Sequence, residues 1–115
     1  HGLFNENFIV CEDYDLWLKI LATEEVGFIS EFLIKKYGGH SDQLSTQYTA
    51  MDFWRIRSMV SLLGNRLVTD EVKRSQIKVE IRKKAEILLN GFLKHQKVHE
   101  YDELKSLIKT LDELL

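Results

Sequence analysis

A chain of 115 residues holds one small domain and no more. Its formal charge of -2 supplies no basic field, so no nucleic-acid partner is expected. Hydrophobic residues at 44% and charged residues at 30% read as soluble and globular, and no apolar run nears the ~18 residues of a membrane span.

The single Cys11 excludes an internal disulfide framework and fits a reducing compartment, so a cytoplasmic location is expected. The chain opens at His1 with no Met, signal peptide or transit segment, and is therefore expected to be cut from a longer polypeptide. Its character changes near residue 45. Before that point Gly, Asn, aromatics and short apolar runs alternate. After it Leu, Ile, Lys and Glu dominate, and the absence of proline leaves long helices unhindered.

Residues 1 to 10 read as loop. A helix is predicted from Glu12 to about Ala22, with Leu16, Trp17, Ile20 and Leu21 as its apolar stripe. Asp15 and Lys19, four residues apart, can pair on the other face. Val26 to Ile29 and Phe32 to Tyr37 are short, β-branched or aromatic, and predict two strands. Gly38 and Gly39 open a polar loop, His40 to Ser45.

Three helices are predicted to follow. The first runs from about Gln47 to Leu63 with Met51, Trp54, Met59, Leu62 and Leu63 among its apolar residues, and Gly64-Asn65 supplies its stop. The second runs from about Asp70 to His95, striped by Ile77, Ile81, Ala85, Leu88 and Phe92. The third runs from about Glu100 to Leu115, striped by Tyr101, Leu104, Ile108, Leu111 and Leu115. Such stripes predict helix-on-helix packing, antiparallel across Lys97 to His99. The expected fold is mainly α: a short β-hairpin between the first helix and a C-terminal three-helix bundle.

The chemistry-bearing stretch is Cys11-Glu12-Asp13-Tyr14-Asp15-Leu16-Trp17-Leu18-Lys19-Ile20. Three carboxylates crowd the start of a helix, where negative charge is favoured by roughly 0.3–1 kcal/mol. A purely structural role is open to them on that ground. In the functional alternative, one carboxylate points into a pocket while the apolar stripe anchors its helix. Asp13, four residues before Trp17, sits at the rim of that stripe; Asp15 lies about 200° around the helix and should face elsewhere.

Gly2-Leu3-Phe4-Asn5-Glu6 followed by Glu12-Asp13-Tyr14-Asp15-Leu16-Trp17-Leu18-Lys19-Ile20 resembles the Gly-x-Phe-Asp-Glu … Glu-Asp-x-Asp-Leu-x-x-Arg segment of family-2 inverting glycosyltransferases. Asn5 stands where that family usually has Asp, and Lys19 where Arg is common, which loses any bidentate contact. The stretches 26–29 and 32–37 resemble the strand pair after the family's Glu-Asp helix. Tyr37 to Ser45 resembles its Tyr-Arg-x-His-x-x-Gln-x-Ser loop.

The resemblance covers residues 1–45 as the C-terminal part of an A-type catalytic domain, and leaves 46–115 as a helical extension. It implies transfer of a sugar from a nucleotide-diphosphate donor to an acceptor hydroxyl. Asp13 would be the catalytic base, Glu12 its motif partner, and Trp17 and Lys19 substrate-binding residues. His40 would approach a divalent metal, Mg or Mn, although oxygen ligands suit those ions better, and a local hydrogen-bonding role for this loop histidine is equally open.

Asp13-Tyr14-Asp15 also spells the Asp-x-Asp by which many sugar-nucleotide transferases hold that metal. Residues two apart on a helix do not face one another, so this match is rejected. With the nucleotide-binding half expected upstream, the chain by itself should bind no cofactor and be inactive. Its apolar residues Leu3, Phe4, Phe8 and Ile9 should then drive self-association. A second reading makes residues 46–115 a non-enzymatic helical interaction or dimerisation module.

Other residues point to less. His95 and His99 lack a carboxylate triplet, and Glu71, Glu80 and Glu86 interrupt the basic side of the second long helix. Cys11, beside Glu12 and Asp13, should be a poor thiolate.

Overall fold

The computed structural model describes residues 3–37 and 50–113. Four helices are present among them: α1 (Glu12–Thr23), α2 (Met51–Gly64), α3 (Glu71–Lys94) and α4 (Val98–Glu113).

Local chemistry sets the helix ends. Asp70 caps α3, its carboxylate accepting from the backbone N–H of Val72 at 2.8 Å and Lys73 at 3.1 Å. Losing such a cap costs about 1 kcal/mol. At the other end of α3, Gln96 adopts φ 56. Its N–H donates to Leu93 O, and Lys97 N–H donates to Phe92 O, the paired bonds of a Schellman turn. Arg66 with φ 58 plays the same part after α2, where Gly64-Asn65 had marked the stop. α1 ends at Glu24, which turns extended, and no basic residue in its last turn favours continuation.

Packing follows from the stripes. Ile56, Met59, Val60 and Leu63 of α2 meet Ile81, Ala85 and Phe92 of α3 and Leu104 and Leu111 of α4 in one buried cluster. Ile77, Leu88, Tyr101 and Ile108 close its margins. The long-range ion pairs fix direction. Asp52 at the start of α2 lies 3.6 Å from Lys84 midway along α3, and Arg82 of α3 lies 2.7 Å from Asp112 near the end of α4. Across their short connections α2 and α3, and α3 and α4, are therefore antiparallel.

The expected three-helix bundle is present, with shifted bounds. α2 begins at Met51, with 47–49 outside the described residues, and the α3–α4 connection is His95 to Lys97 rather than Lys97 to His99. Leu115 also lies outside them.

The expected β-hairpin is not there. No strand forms among the described residues, and 24–37 is neither helix nor strand. Phe28 and Phe32 are 91% and 105% exposed, and Leu33 and Ile34 also face solvent. A two-stranded hairpin is marginal without a third layer to cover it, and the bundle offers this segment none.

α1 packs on α2, but not through the expected face. Cys11 and Asp15 are buried, and Tyr14 and Leu18 pack against the core cluster. Trp17 and Leu21 are exposed, and Leu16 and Ile20 only partly covered. The stripe at helical spacing exists, yet it points away from the bundle.

Candidate functional site

The N-termini of α1 and α2 lie side by side. Cys11 Sγ is 3.7 Å from the Met51 carbonyl, and both flanking residues, Cys11 and Ala50, are left-handed, with φ 62 and 56. A non-glycine residue there carries roughly 1–2 kcal/mol of strain. Strain of this kind clusters where backbone position matters. Neither N-cap residue, Cys11 or Ala50, gives its helix a side-chain hydrogen bond.

Asp13 is exposed, and its Oδ1 accepts from Tyr14 N–H at 2.7 Å. Glu12, one residue earlier, is half-buried. Asp13 heads the outward face on which Leu16, Trp17, Ile20 and Leu21 follow at helical spacing. Trp17, 57% exposed, is the large aromatic of that face.

Asp15 does turn away from Asp13, but inward rather than to solvent. It is 2% exposed and accepts from the Ser58 hydroxyl of α2 at 2.7 Å. Lys19 Nζ stands 2.7 Å from its other oxygen, an ion pair without the alignment of a hydrogen bond. The anticipated Asp15–Lys19 pair thus forms against the bundle. It gives Lys19 a packing duty whatever else that side chain meets. His40 lies outside the described residues.

A second polar group surrounds the α2 start. Arg55 donates to Asp52 at 2.7 Å and lies 5.8 Å from the Tyr14 ring, while Lys84 bridges Asp52 and Glu80. The Asp52 carboxylate raises the Arg55 pKa, chiefly through their hydrogen bond. Burial pushes the Tyr14 phenol up, opposed by Lys84 and Arg55. Sequence reading missed the burial of Asp15, its Ser58 partner and this cluster. Ser58, a hydroxyl set directly before the apolar Met59-Val60, was the available signal.

Burial also raises the Cys11 thiol pKa; Arg55 opposes it, and Asp13, Glu12 and Asp52 add to the rise. The carboxylate neighbours act as expected, but desolvation is the larger cause. The folded thiol therefore keeps its proton to higher pH than the unfolded one. Its contribution to stability is complete below about pH 8.5 and is lost as pH climbs through the folded pKa. Iodoacetamide at pH 9 should modify folded Cys11 at least about tenfold more slowly than the urea-unfolded chain. Equal rates would show that the thiol is not withheld.

Two grooves between helices lie elsewhere. One of about 330 Å³ runs between α1, α2 and α3 beside Leu18, Ala22, Met59 and Ile77. Another of about 310 Å³ is bordered by Trp54, Arg57 and Phe92. Neither is lined by Glu12 or Asp13.

Among the described residues, no three His, Cys, Asp or Glu side chains converge as metal ligands, and none of their helices is long and apolar enough to cross a membrane. No family model, curated protein or solved structure matches the chain.

Proposed function

We propose that this chain is the C-terminal part of an inverting glycosyltransferase, with Asp13 as the base that takes the acceptor hydroxyl's proton. The observation that carries the reading is the outward face of α1. An exposed carboxylate heads a stripe in which Trp17 and Leu21 are exposed and Leu16 and Ile20 partly covered, at a strained helix start whose N-cap residue supplies no side-chain bond. A bundle helix has no need to turn its most apolar side to solvent. A helix lying between the bundle and a second, donor-binding body does.

In the step itself the acceptor O–H proton passes to Asp13 and the oxygen attacks the anomeric carbon. The bond to the nucleotide diphosphate breaks, with inversion. Glu12, Trp17 and the stripe position the acceptor side; Asp15, Ser58 and Lys19 hold α1 in place. The described residues do not fit a divalent ion, since Asp13 and Asp15 point apart and no ligand cluster forms.

The full-length polypeptide should convert uridine, guanosine or thymidine diphosphate sugars into glycosides of inverted anomeric configuration, read by proton NMR. The chain on its own should bind those donors no tighter than about millimolar, roughly -4 kcal/mol, in calorimetry with Mn²⁺. Retained configuration, or micromolar binding by the chain alone, would overturn the assignment.

A further inference from the structure

Residues 25–37 have no partner surface among the described residues. From 25 to 37 no backbone N–H or C=O is hydrogen-bonded to another described residue. Ile29, Phe32, Leu33, Ile34 and Tyr37 are all well exposed. Such a row of free peptide groups with apolar side chains is a template for strand pairing. Lys35 Nζ lies 5.6 Å from the Tyr37 ring centroid, two residues on, so this end already has the alternation of a strand.

The charges single out the occupant. Around Leu33 the sequence reads Glu31-Phe32-Leu33-Ile34-Lys35. Antiparallel pairing with an identical segment, centred on Leu33, sets Glu31 opposite Lys35 twice and Phe32 opposite Ile34 twice. Further out, Ile29 meets Tyr37 and Ser30 meets Lys36. Opposite charges and aromatic–β-branched pairs are the favourable cross-strand combinations. Parallel in-register pairing instead places Glu31 on Glu31 and Lys35 on Lys35. A one-residue slip of the antiparallel register sets Phe32 against Lys35.

We propose that residues 29–37 form a two-fold antiparallel strand pair with the same residues of a second copy of this chain. The bend at Glu31 straightens on pairing, and the dyad passes through Leu33. The interface is distinct from the Leu3, Phe4 and Ile9 patch, and does not depend on sugar transfer.

Sedimentation equilibrium between micromolar and millimolar chain should show a monomer–dimer equilibrium. Glu31→Lys and Lys35→Glu should each weaken it about fivefold or more, since each turns both ion pairs into like-charge pairs. Mixing the two variants, or combining both changes in one chain, should restore it. Leu33→Cys should oxidise to a covalent dimer, because paired residues at the dyad stand about 4.5–5.5 Å apart. Ile29→Cys should not, its two copies lying about 26 Å apart at 3.3 Å per residue. Buried Cys11 supplies no competing thiol.

A monomer throughout, single charge variants that dimerise like the parent, a mixture that stays dissociated, or equal crosslinking at 29 and 33 would each overturn the proposal.

Discussion

Asp13→Asn in the full-length polypeptide is expected to lower sugar transfer by about 10²–10⁴-fold while leaving the fold and donor affinity nearly unchanged. Asparagine keeps the shape and the Oδ1 that accepts from Tyr14 N–H, but it cannot take a proton. Asp13 is exposed, so the substitution disturbs no packing. Both structural roles open to this carboxylate, filling a helix-start N–H and favouring the dipole, predict something different. They survive in Asn or cost only a few tenths to 1 kcal/mol.

The comparison variant is Glu25→Gln, which removes an exposed charge just beyond α1. Asp15→Asn, two residues on, is no control, because Asp15 is buried. Activity would fall there through the fold rather than the chemistry. Transfer by Asp13→Asn within a few-fold of the parent would remove this residue from the mechanism.

Asp15→Ala should destabilise the chain by about 2–4 kcal/mol, the largest effect expected of any polar substitution here. The carboxylate is buried against α2, and its loss strands the Ser58 hydroxyl in a closed site and leaves Lys19 without its ion pair. Lys19 keeps 22% of its side chain in solvent, so its own contribution is screened, and Lys19→Met should cost much less.

Urea unfolding of Asp15→Ala, Ser58→Ala and the double variant tests the coupling. Once Asp15 is gone, removing the Ser58 hydroxyl should cost little or even help, because no unpaired group remains. Additive losses, or a cost for Asp15→Ala under about 1 kcal/mol, would show that the pair does not hold α1 in place. Thermal midpoints should move in parallel, by roughly 4–8 °C per kcal/mol for a domain of this size.

The two carboxylates two residues apart thus divide the work in a way that helix spacing half revealed. Their opposite directions follow from the 100° step of the helix. Which direction is inward does not. α1 with its N-cap carries one set, Cys11, Asp15 and Lys19, and an apolar set, Leu16, Trp17, Ile20 and Leu21. The apolar set is the natural choice for the core if α1 is read alone. The bundle accepts the other side because Ser58 supplies a hydroxyl for Asp15 there, while Tyr14 and Leu18 supply the apolar contact.

By itself the sequence determined the bundle. The stripes of α3 and α4, the Asp70 cap and the Gly64-Asn65 stop are local signals that agree with one another, and each helix folds where they coincide. Only the tertiary structure decided the fate of everything that depends on a distant partner. The Asp15–Ser58 bond joins residues 43 apart, and the Asp52–Lys84 pair joins two helices. Strand-forming residues from 26 to 37 find no strand partner among the described residues of the chain because a strand, unlike a helix, draws its hydrogen bonds from outside itself.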